Sequence, residues 1–371
     1  MALYKKLFTP IKIGAIQLSH RVVMPALSRV RSEQPGDVPS ALMAEYYTQR
    51  ASQGGLIITE ASSVSIGGKA YYGAPGLYSQ DQVHAWKRIV DGVHAKGAKI
   101  FAQLWHGGRV AHTDLTDGQT PVSPSAIPFK GQVLTRSGFT TGSPARELKL
   151  EEIPGIIDAF RSAAGRAKSA GFDGVELHGA NGYILDQFLL DGTNKRTDAY
   201  GGPVKNRARF FLETIEAVSS VWGSGRVGVR ISPSSQFNEM SDSDPLATFG
   251  YFADELNRFG LAYLHIIEPR MSGSNVIDEN SKPVASEVLR KIFKGKIIAA
   301  GGFEPDTAEA IIEKGDADLV SFGRHFIANP DLPRRIRLGV PLNRYDRSTF
   351  YAYTERGYTD YPFYKEQTVE A

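Results

Sequence analysis

Short apolar runs alternate with longer segments of helical spacing along the whole chain. Residues 21–28 form an apolar run ending on a hydroxyl, 41–52 read as a helix, and 55–61 as a strand. In 82–96, Val83, Trp86, Ile89, Val90 and Val93 recur at helical spacing, and 98–104 follows as a third strand. A Gly/Ser/Thr/Pro-rich stretch then runs from Trp105 to about Leu148. It exceeds ordinary loop length and is expected to form a lid, with a hairpin around 133–141. The alternation then resumes, with helices expected over 151–170, 206–221, 246–258, 286–293 and 306–314. The remaining strands are expected over 175–177, 226–231, 261–267, 296–300 and 318–322. Eight βα units with no linker of shifted composition predict an α/β fold, a (β/α)8 TIM barrel. The expected organisation is a single domain over 1–371, with the lid insertion after strand 3 at about 106–148. An aromatic-rich C-terminal segment is expected at about 340–371.

A barrel places function at the carboxyl ends of its strands. Those ends carry Ser28, Glu60-Ala61, Gln103, His178, Arg230, His265 or Glu268, Gly301-Gly302 and Gly323-Arg324. Polar residues or glycines recur there at one phase of the repeat, which solvated surface does not explain. The stretch GFDGVELHGANGYILDQFLL, 171–190, is the most informative. Its apolar run delivers His178, Asn181 and Tyr183 together. A tight turn or first helical turn would point His178 and Asn181 the same way. Both can donate to one oxygen, and Tyr183 adds a weakly acidic hydroxyl. Such a set suits a reaction that builds negative charge on an oxygen and then needs a proton on carbon. A lone histidine after a strand would read as structural; Asn181 and Tyr183 at this spacing turn the reading to function.

Gly301-Gly302 and Gly323-Arg324 each follow a strand. Glycines admit close backbone approach, and the loops after strands seven and eight are the recurrent phosphate site of such barrels; the alternative is two ordinary turns. Arg230 closes an apolar strand and needs an anionic partner. That partner is either a strand-end carboxylate such as Glu60 or the N1/O2 edge of a flavin. Gln103 could read a flavin's pyrimidine edge, and Ser28 could donate towards O4 or N5. Gly223-Ser224-Gly225-Arg226-Val227-Gly228 matches G-x-G-x-x-G but precedes a strand, so it is a helix-to-strand turn and no Rossmann fingerprint.

Composition narrows the classes. The 371 residues carry 43 Lys+Arg against 40 Asp+Glu, a net charge of +3 with no basic stripe, which argues against a nucleic-acid partner. The absence of cysteine rules out disulfides, thiolate nucleophiles and Cys-ligated metals, and the histidines show no metal-ligand spacing. The start MALYKKLFTPIKIG has no signal-peptide core and no run reaches spanning length, so a cytoplasmic enzyme with no membrane partner is expected.

The chain resembles the old yellow enzyme family of FMN-dependent ene-reductases almost end to end. The resemblance is carried by Leu7-Phe8-Thr9-Pro10, 21–29, 46–54, Ala102-Gln103-Leu104-Trp105-His106 and 178–189. Further pieces are Arg196-Thr197-Asp198-Ala199-Tyr200-Gly201-Gly202, Asn206-Arg207-Ala208-Arg209-Phe210, 323–332 and Gly357-Tyr358-Thr359-Asp360-Tyr361-Pro362. It implies noncovalent FMN, ping-pong reduction by NADPH or NADH, and hydride delivery from flavin N5 to the β-carbon of an activated alkene, an α,β-unsaturated carbonyl or nitro compound. It implies His178 and Asn181 as the oxygen grip and Tyr183 as proton donor to the α-carbon. Pro25, Ala26, Ser28, Ala61, Gln103 and Arg230 fall on flavin contacts, and Gly301, Gly302, Gly323 and Arg324 on the phosphate site. Trp105 and Tyr358 fall on aromatic substrate walls. Phenolic ligands are expected as inhibitors, and a monomer or homodimer as the assembly. Ser28 stands where many members carry Thr, and Gly302 where others often have Asn. The rival readings are an FMN-dependent hydroxy-acid oxidase and a non-catalytic flavin-binding stress or sensor protein.

Overall fold

Among the described residues, eight parallel strands close on themselves in the computed structural model, which describes residues 3–272, 275–276 and 284–366. They are β1 (Val22–Met24), β2 (Leu56–Ile58), β3 (Lys99–Trp105), β4 (Gly174–Gly179), β5 (Val227–Ile231), β6 (Tyr263–Ile267), β7 (Ile297–Ala300) and β8 (Leu319–Ser321). Each pairs with its sequence neighbour, β8 returns to β1, and β3 meets β4 across the lid insertion. The strands are buried on both faces, which is why they read as continuous apolar runs rather than alternating ones.

The outer helices are α1 (Ala41–Arg50), α2 (Gln80–Ala95), α3 (Ile153–Ser169), α4 (Arg209–Trp222), α5 (Pro245–Leu256), α6 (Ser286–Leu289), α7 (Pro305–Lys314) and α8 (Leu332–Leu338). Their starts follow from local chemistry. Ser79 and Gln82 form a capping box on α2, and Asp244 caps α5 ahead of Pro245. The helix expected over 286–293 is regular only for its first turn, α6.

The amino ends of the strands are plugged by a hairpin that the sequence reading left unassigned, Ile11–Ile13 with Ile16–Leu18. Ile11, Ile13, Ile16 and Leu18 pack on Leu56, Phe101 and Leu319. Gly14 makes this possible: its φ is +48°, and a Cβ there would lie 2.1 Å from the Gly225 carbonyl oxygen. Access to the barrel is therefore from the carboxyl end.

Two insertions build walls at that end. The lid carries the expected hairpin, Gln132–Thr135 with Gly138–Thr141, tied down by the Tyr72 N–H donating to Leu134 O at 2.8 Å. The C-terminal segment is strapped across the top by three buried arginines, Arg29, Arg31 and Arg50. They donate to backbone carbonyls of Thr349, Phe350, Gly357 and Tyr358. Residues 367–371 of that segment lie outside the described residues. No helix among the described residues is long and apolar enough to cross a membrane.

Candidate active site

The carboxyl ends of the strands open into a cavity of about 560 Å³, within the range of small-molecule sites. β4 supplies its floor. Glu176 and His178, two apart on one strand, face the same side. In register, His178 lies beside Arg230 of β5, which lies beside His265 of β6.

Glu176 is wholly buried and accepts from Gln103 Nε2 at 2.7 Å and pairs with His265 Nδ1 at 2.9 Å. Burial alone would raise its carboxyl, but His265 and Arg230 hold it below the usual carboxylate range. His265 reaches on to Ser321 Oγ at 3.1 Å. The network leaves Gln103 Oε1 and Arg230 Nε buried without a partner, and both residues line the cavity. Buried polar atoms of this kind call for a ligand's hydrogen bonds. The Glu60 carboxylate is not the partner of Arg230. It accepts instead from the backbone N–H groups of Arg29 and Val30 at 3.0 and 3.1 Å.

After β4 the chain turns sharply. Asn181 has φ +58° and Gly182 +75°, so the turn is left-handed rather than the first turn of a helix. Tyr183 precedes the short helix Ile184–Leu189. The ring of Tyr183 packs edge-on against His178, with centroids 4.9 Å apart. His178 Nδ1 and Asn181 Oδ1 are buried without partners. Burial, with Arg230 and His265 nearby, pushes the His178 imidazole well below its ordinary value, so it is neutral. Burial and the Tyr71 hydroxyl raise Tyr183 well above 10, so it carries its proton. The Tyr71 and Tyr183 hydroxyls are 3.0 Å apart, and burial raises Tyr71 to about 12.

The far end of the cavity is bare backbone. Gly301 and Gly302 have φ of +129° and +61°. A Cβ on Gly302 would lie 3.4 Å from Arg324 Nη2 and 4.0 Å from Arg270 Nε, so two guanidinium groups converge there. A glycine-lined cradle with two cations can hold a phosphate. With the unpartnered Gln103 and Arg230 atoms at the other end, the residues present fit FMN.

Most of the expected site residues meet in this cavity. Pro25, Ala26, Ser28 and Gln103 line it with His178, Asn181, Tyr183 and Arg230, and Gly301, Gly302, Gly323 and Arg324 line its cationic end. Three do not. Trp105 is fully buried one layer behind, edge-on to Tyr183 at 5.2 Å and stacked on Tyr71 at 5.7 Å. Ala61 packs in the same apolar cluster, off the wall. Tyr358 is buried beneath the strap, stacked on Tyr46 at 3.9 Å with the Arg31 guanidinium 4.4 Å over its ring. Phe350 and Tyr351 line the cavity near the strap. The sequence reading also passed over Tyr71, Arg270 and Glu176. Of these only Glu176 had a signal, a carboxylate inside an apolar strand two residues before His178.

The comparisons with known proteins agree with this geometry. The chain matches the NADH:flavin oxidoreductase / NADH oxidase family over residues 6–343. It is 50% identical to 12-oxophytodienoate reductase 1 of Oryza sativa subsp. japonica over 370 residues, covering 98% of this chain and 95% of that protein. It is 46% identical to 12-oxophytodienoate reductase 2 of Arabidopsis thaliana, covering 96% and 95%. Among solved structures, morphinone reductase in complex with tetrahydroNAD matches with a TM-score of 0.90 at 46% identity, covering 97% of this chain and 98% of that one. The old yellow enzyme homologue from Zymomonas mobilis matches at 0.92 and 42%, covering 96% and 99%. A closed barrel, a cavity that fits FMN and this likeness over nearly the whole length place the chain in the NADH:flavin oxidoreductase / NADH oxidase family, the old yellow enzymes, as an FMN-dependent NAD(P)H ene-reductase.

Proposed function

We propose that His178 and Asn181 bind the carbonyl or nitro oxygen of an activated alkene and that Tyr183 protonates its α-carbon. Bound FMN supplies the two-electron exchange between NAD(P)H and the alkene. Gln103, Arg230 and Ser28 would hold its ring, and Gly301, Gly302, Gly323, Arg270 and Arg324 its phosphate. The observation that carries the reading is the meeting of buried His178 and Tyr183 with half-buried Asn181 in the cavity, beside the unpartnered Gln103 and Arg230 atoms. Two preorganised donors stabilise negative charge as it grows on the substrate oxygen. A tyrosine kept protonated by burial and backed by Tyr71 is a general acid within reach of the same molecule.

A hydroxy-acid oxidase needs a base at this place, and a histidine depressed well below its ordinary value is a poor one. Aromatic and aliphatic side chains, Phe129, Leu134, Phe139, Phe237, Phe350 and Tyr351, wall the cavity and favour apolar substrates. Relatives named for 12-oxophytodienoate and for morphinone support oxo compounds as the class. Phenols, which offer one oxygen to the donor pair, are the expected inhibitors. Anaerobic mixing of the reduced holoenzyme with cyclohexenone tests the proposal. The flavin should reoxidise with loss of the alkene in equal amount; reoxidation only by oxygen, with the alkene intact, would refute it.

A further inference from the structure

Between β4 and the helix Ile184–Leu189 the backbone has neither ladder nor helix to satisfy it, yet it carries Asn181 and Tyr183. Four side chains from other positions hold it. The Asn181 N–H donates to Ser232 Oγ at 2.8 Å, and the Asn181 carbonyl accepts from Asn238 Nδ2 at 2.8 Å. The Gly182 N–H donates to Asp186 Oδ2 at 2.9 Å, and the Gly182 carbonyl accepts from Gln187 Nε2 at 2.7 Å. Every backbone polar group of 181 and 182 is thus bonded to a side chain. The conformation so held is left-handed at both residues, a region that asparagine and glycine enter more readily than other residues, and a Cβ at 182 would lie 2.7 Å from Met240 Cγ.

Asp186, Gln187 and Ser232 are 1%, 0% and 2% exposed, and none lines the cavity. Gln187 also donates to the Gly107 carbonyl at 3.1 Å and accepts the Arg109 N–H at 3.1 Å, which anchors the turn to the start of the lid. Asp186 Oδ1 has no partner, and burial, reinforced by Asp242, raises the carboxyl to about 7. Asp242 is itself paired with Arg207 at 3.5 Å.

We infer that Asp186, Gln187 and Ser232 are positioning residues that clamp the 181–182 backbone and so preset the Asn181 amide against the Tyr183 hydroxyl. The inference rests on the reading of Asn181 as a substrate donor. Substrate oxygen and α-carbon are held at a fixed separation by the substrate's own bonds. A donor and an acid that must serve both at once therefore require a turn that does not drift, and small misplacements of catalytic groups are costly.

The test compares Ser232→Ala, Asp186→Ala, Asp186→Asn and Asn181→Ala with the wild-type holoenzyme. Three quantities are read: FMN content by visible absorption, affinity for a para-substituted phenol by the flavin spectral change, and the rate of reoxidation by cyclohexenone. Asn at 186 keeps an oxygen for the Gly182 N–H and mimics the neutral acid. Ser232→Ala and Asp186→Ala should keep FMN but weaken phenol binding and slow the cyclohexenone step, on the order of tenfold to a hundredfold. Asp186→Asn should stay close to wild type. The clamp is overturned if Ser232→Ala and Asp186→Ala match wild type while Asn181→Ala is impaired. It is also overturned if Asp186→Asn is as damaged as Asp186→Ala, or if the alanine variants lose FMN, which assigns these side chains to the barrel as a whole. Should Asn181→Ala itself bind phenol normally, the donor assignment fails instead.

Discussion

Tyr183 and Asn181 are separated by one glycine, and the proposed roles of acid and oxygen donor should separate on substitution. Removing one of two preorganised donors costs on the order of 10² to 10³ in rate, so Asn181→Ala and His178→Ala should weaken phenol binding and slow enone reduction together. Tyr183→Phe removes only the acid. It should keep phenol binding and reduction by NAD(P)H and slow enone turnover by roughly 10² to 10⁴. Nitroalkenes should suffer less, because a nitronate can leave and be protonated by water. Stopped-flow measurement of the two half-reactions decides the matter; Tyr183→Phe that loses phenol affinity but turns over enones normally reverses the roles. Arg230 is a second residue with a separable contribution. Its half-buried guanidinium keeps a buried, unpartnered Nε beside the cavity while Glu176 balances its charge. A cation there favours the more negative, reduced flavin. Arg230→Met should therefore lower the reduction potential of bound FMN in a dye-equilibrated titration. An unchanged potential at full occupancy would return Arg230 to a structural role.

At the scale of the element, the expected strands all appear within a few residues of their boundaries, because a strand buried on both faces leaves an unbroken apolar run. The strand ends were legible for the same reason: Gln103, His178 and Arg230 interrupt such runs. What the sequence could not show is which of several aromatic side chains reaches the cavity. Trp105 ends β3 and packs on Tyr183 from behind, and Tyr358 sits in the strap, while Tyr71, hydrogen-bonded to Tyr183, lines the cavity with Phe350 and Tyr351. These are choices of long-range packing: Tyr358 is drawn under the strap by Tyr46, Arg29 and Arg31, which lie over 300 positions away. The Ile11–Ile13 and Ile16–Leu18 hairpin alternates cleanly but is short enough to pass for a connection. Gly228, the second residue of β5, shows how tightly the strands are fitted. A Cβ there would lie 2.3 Å from the Tyr263 ring, which sits beside Glu176 in the barrel interior. Gly228→Ala should destabilise the barrel by about 1–3 kcal/mol, the ordinary cost of overpacking, seen as a lower urea midpoint. A midpoint equal to wild type would mean that β5 and β6 can part without cost.

The molecule as a whole is closed where its first and last elements meet, and His20 sits at that seam. It is 3% exposed and lies two residues before β1. Its Nδ1 accepts the Val22 N–H at 3.3 Å, which leaves the proton on Nε2 to donate to Ser52 Oγ at 3.1 Å. Phe8 packs edge-on to its ring at 6.2 Å, and the Arg337 guanidinium of α8 lies 4.5 Å from the Phe8 ring. Both contacts favour the neutral imidazole: burial, then the charge of Arg337, lower His20 to about 4. Below the ordinary value of about 6.5 the unfolded chain takes up a proton that the folded one refuses until about pH 4. The folded state therefore has the full benefit of a neutral His20 above about pH 6.5 and loses it as the pH falls towards 4. At about 1.4 kcal/mol per pH unit, the loss from this residue reaches about 3 kcal/mol. Gln at this position keeps a hydrogen-bonding side chain that does not titrate. His20→Gln should cost some stability at pH 7, yet lose less than the wild type on acidification, by up to about 3 kcal/mol between pH 7 and pH 4. Urea unfolding of the holoenzyme at both pH values measures the difference, which cancels the contributions of the other buried acids and histidines because both chains share them. Parallel pH dependences in the two proteins would show that His20 accepts its proton in the folded barrel and that the seam opens to admit it.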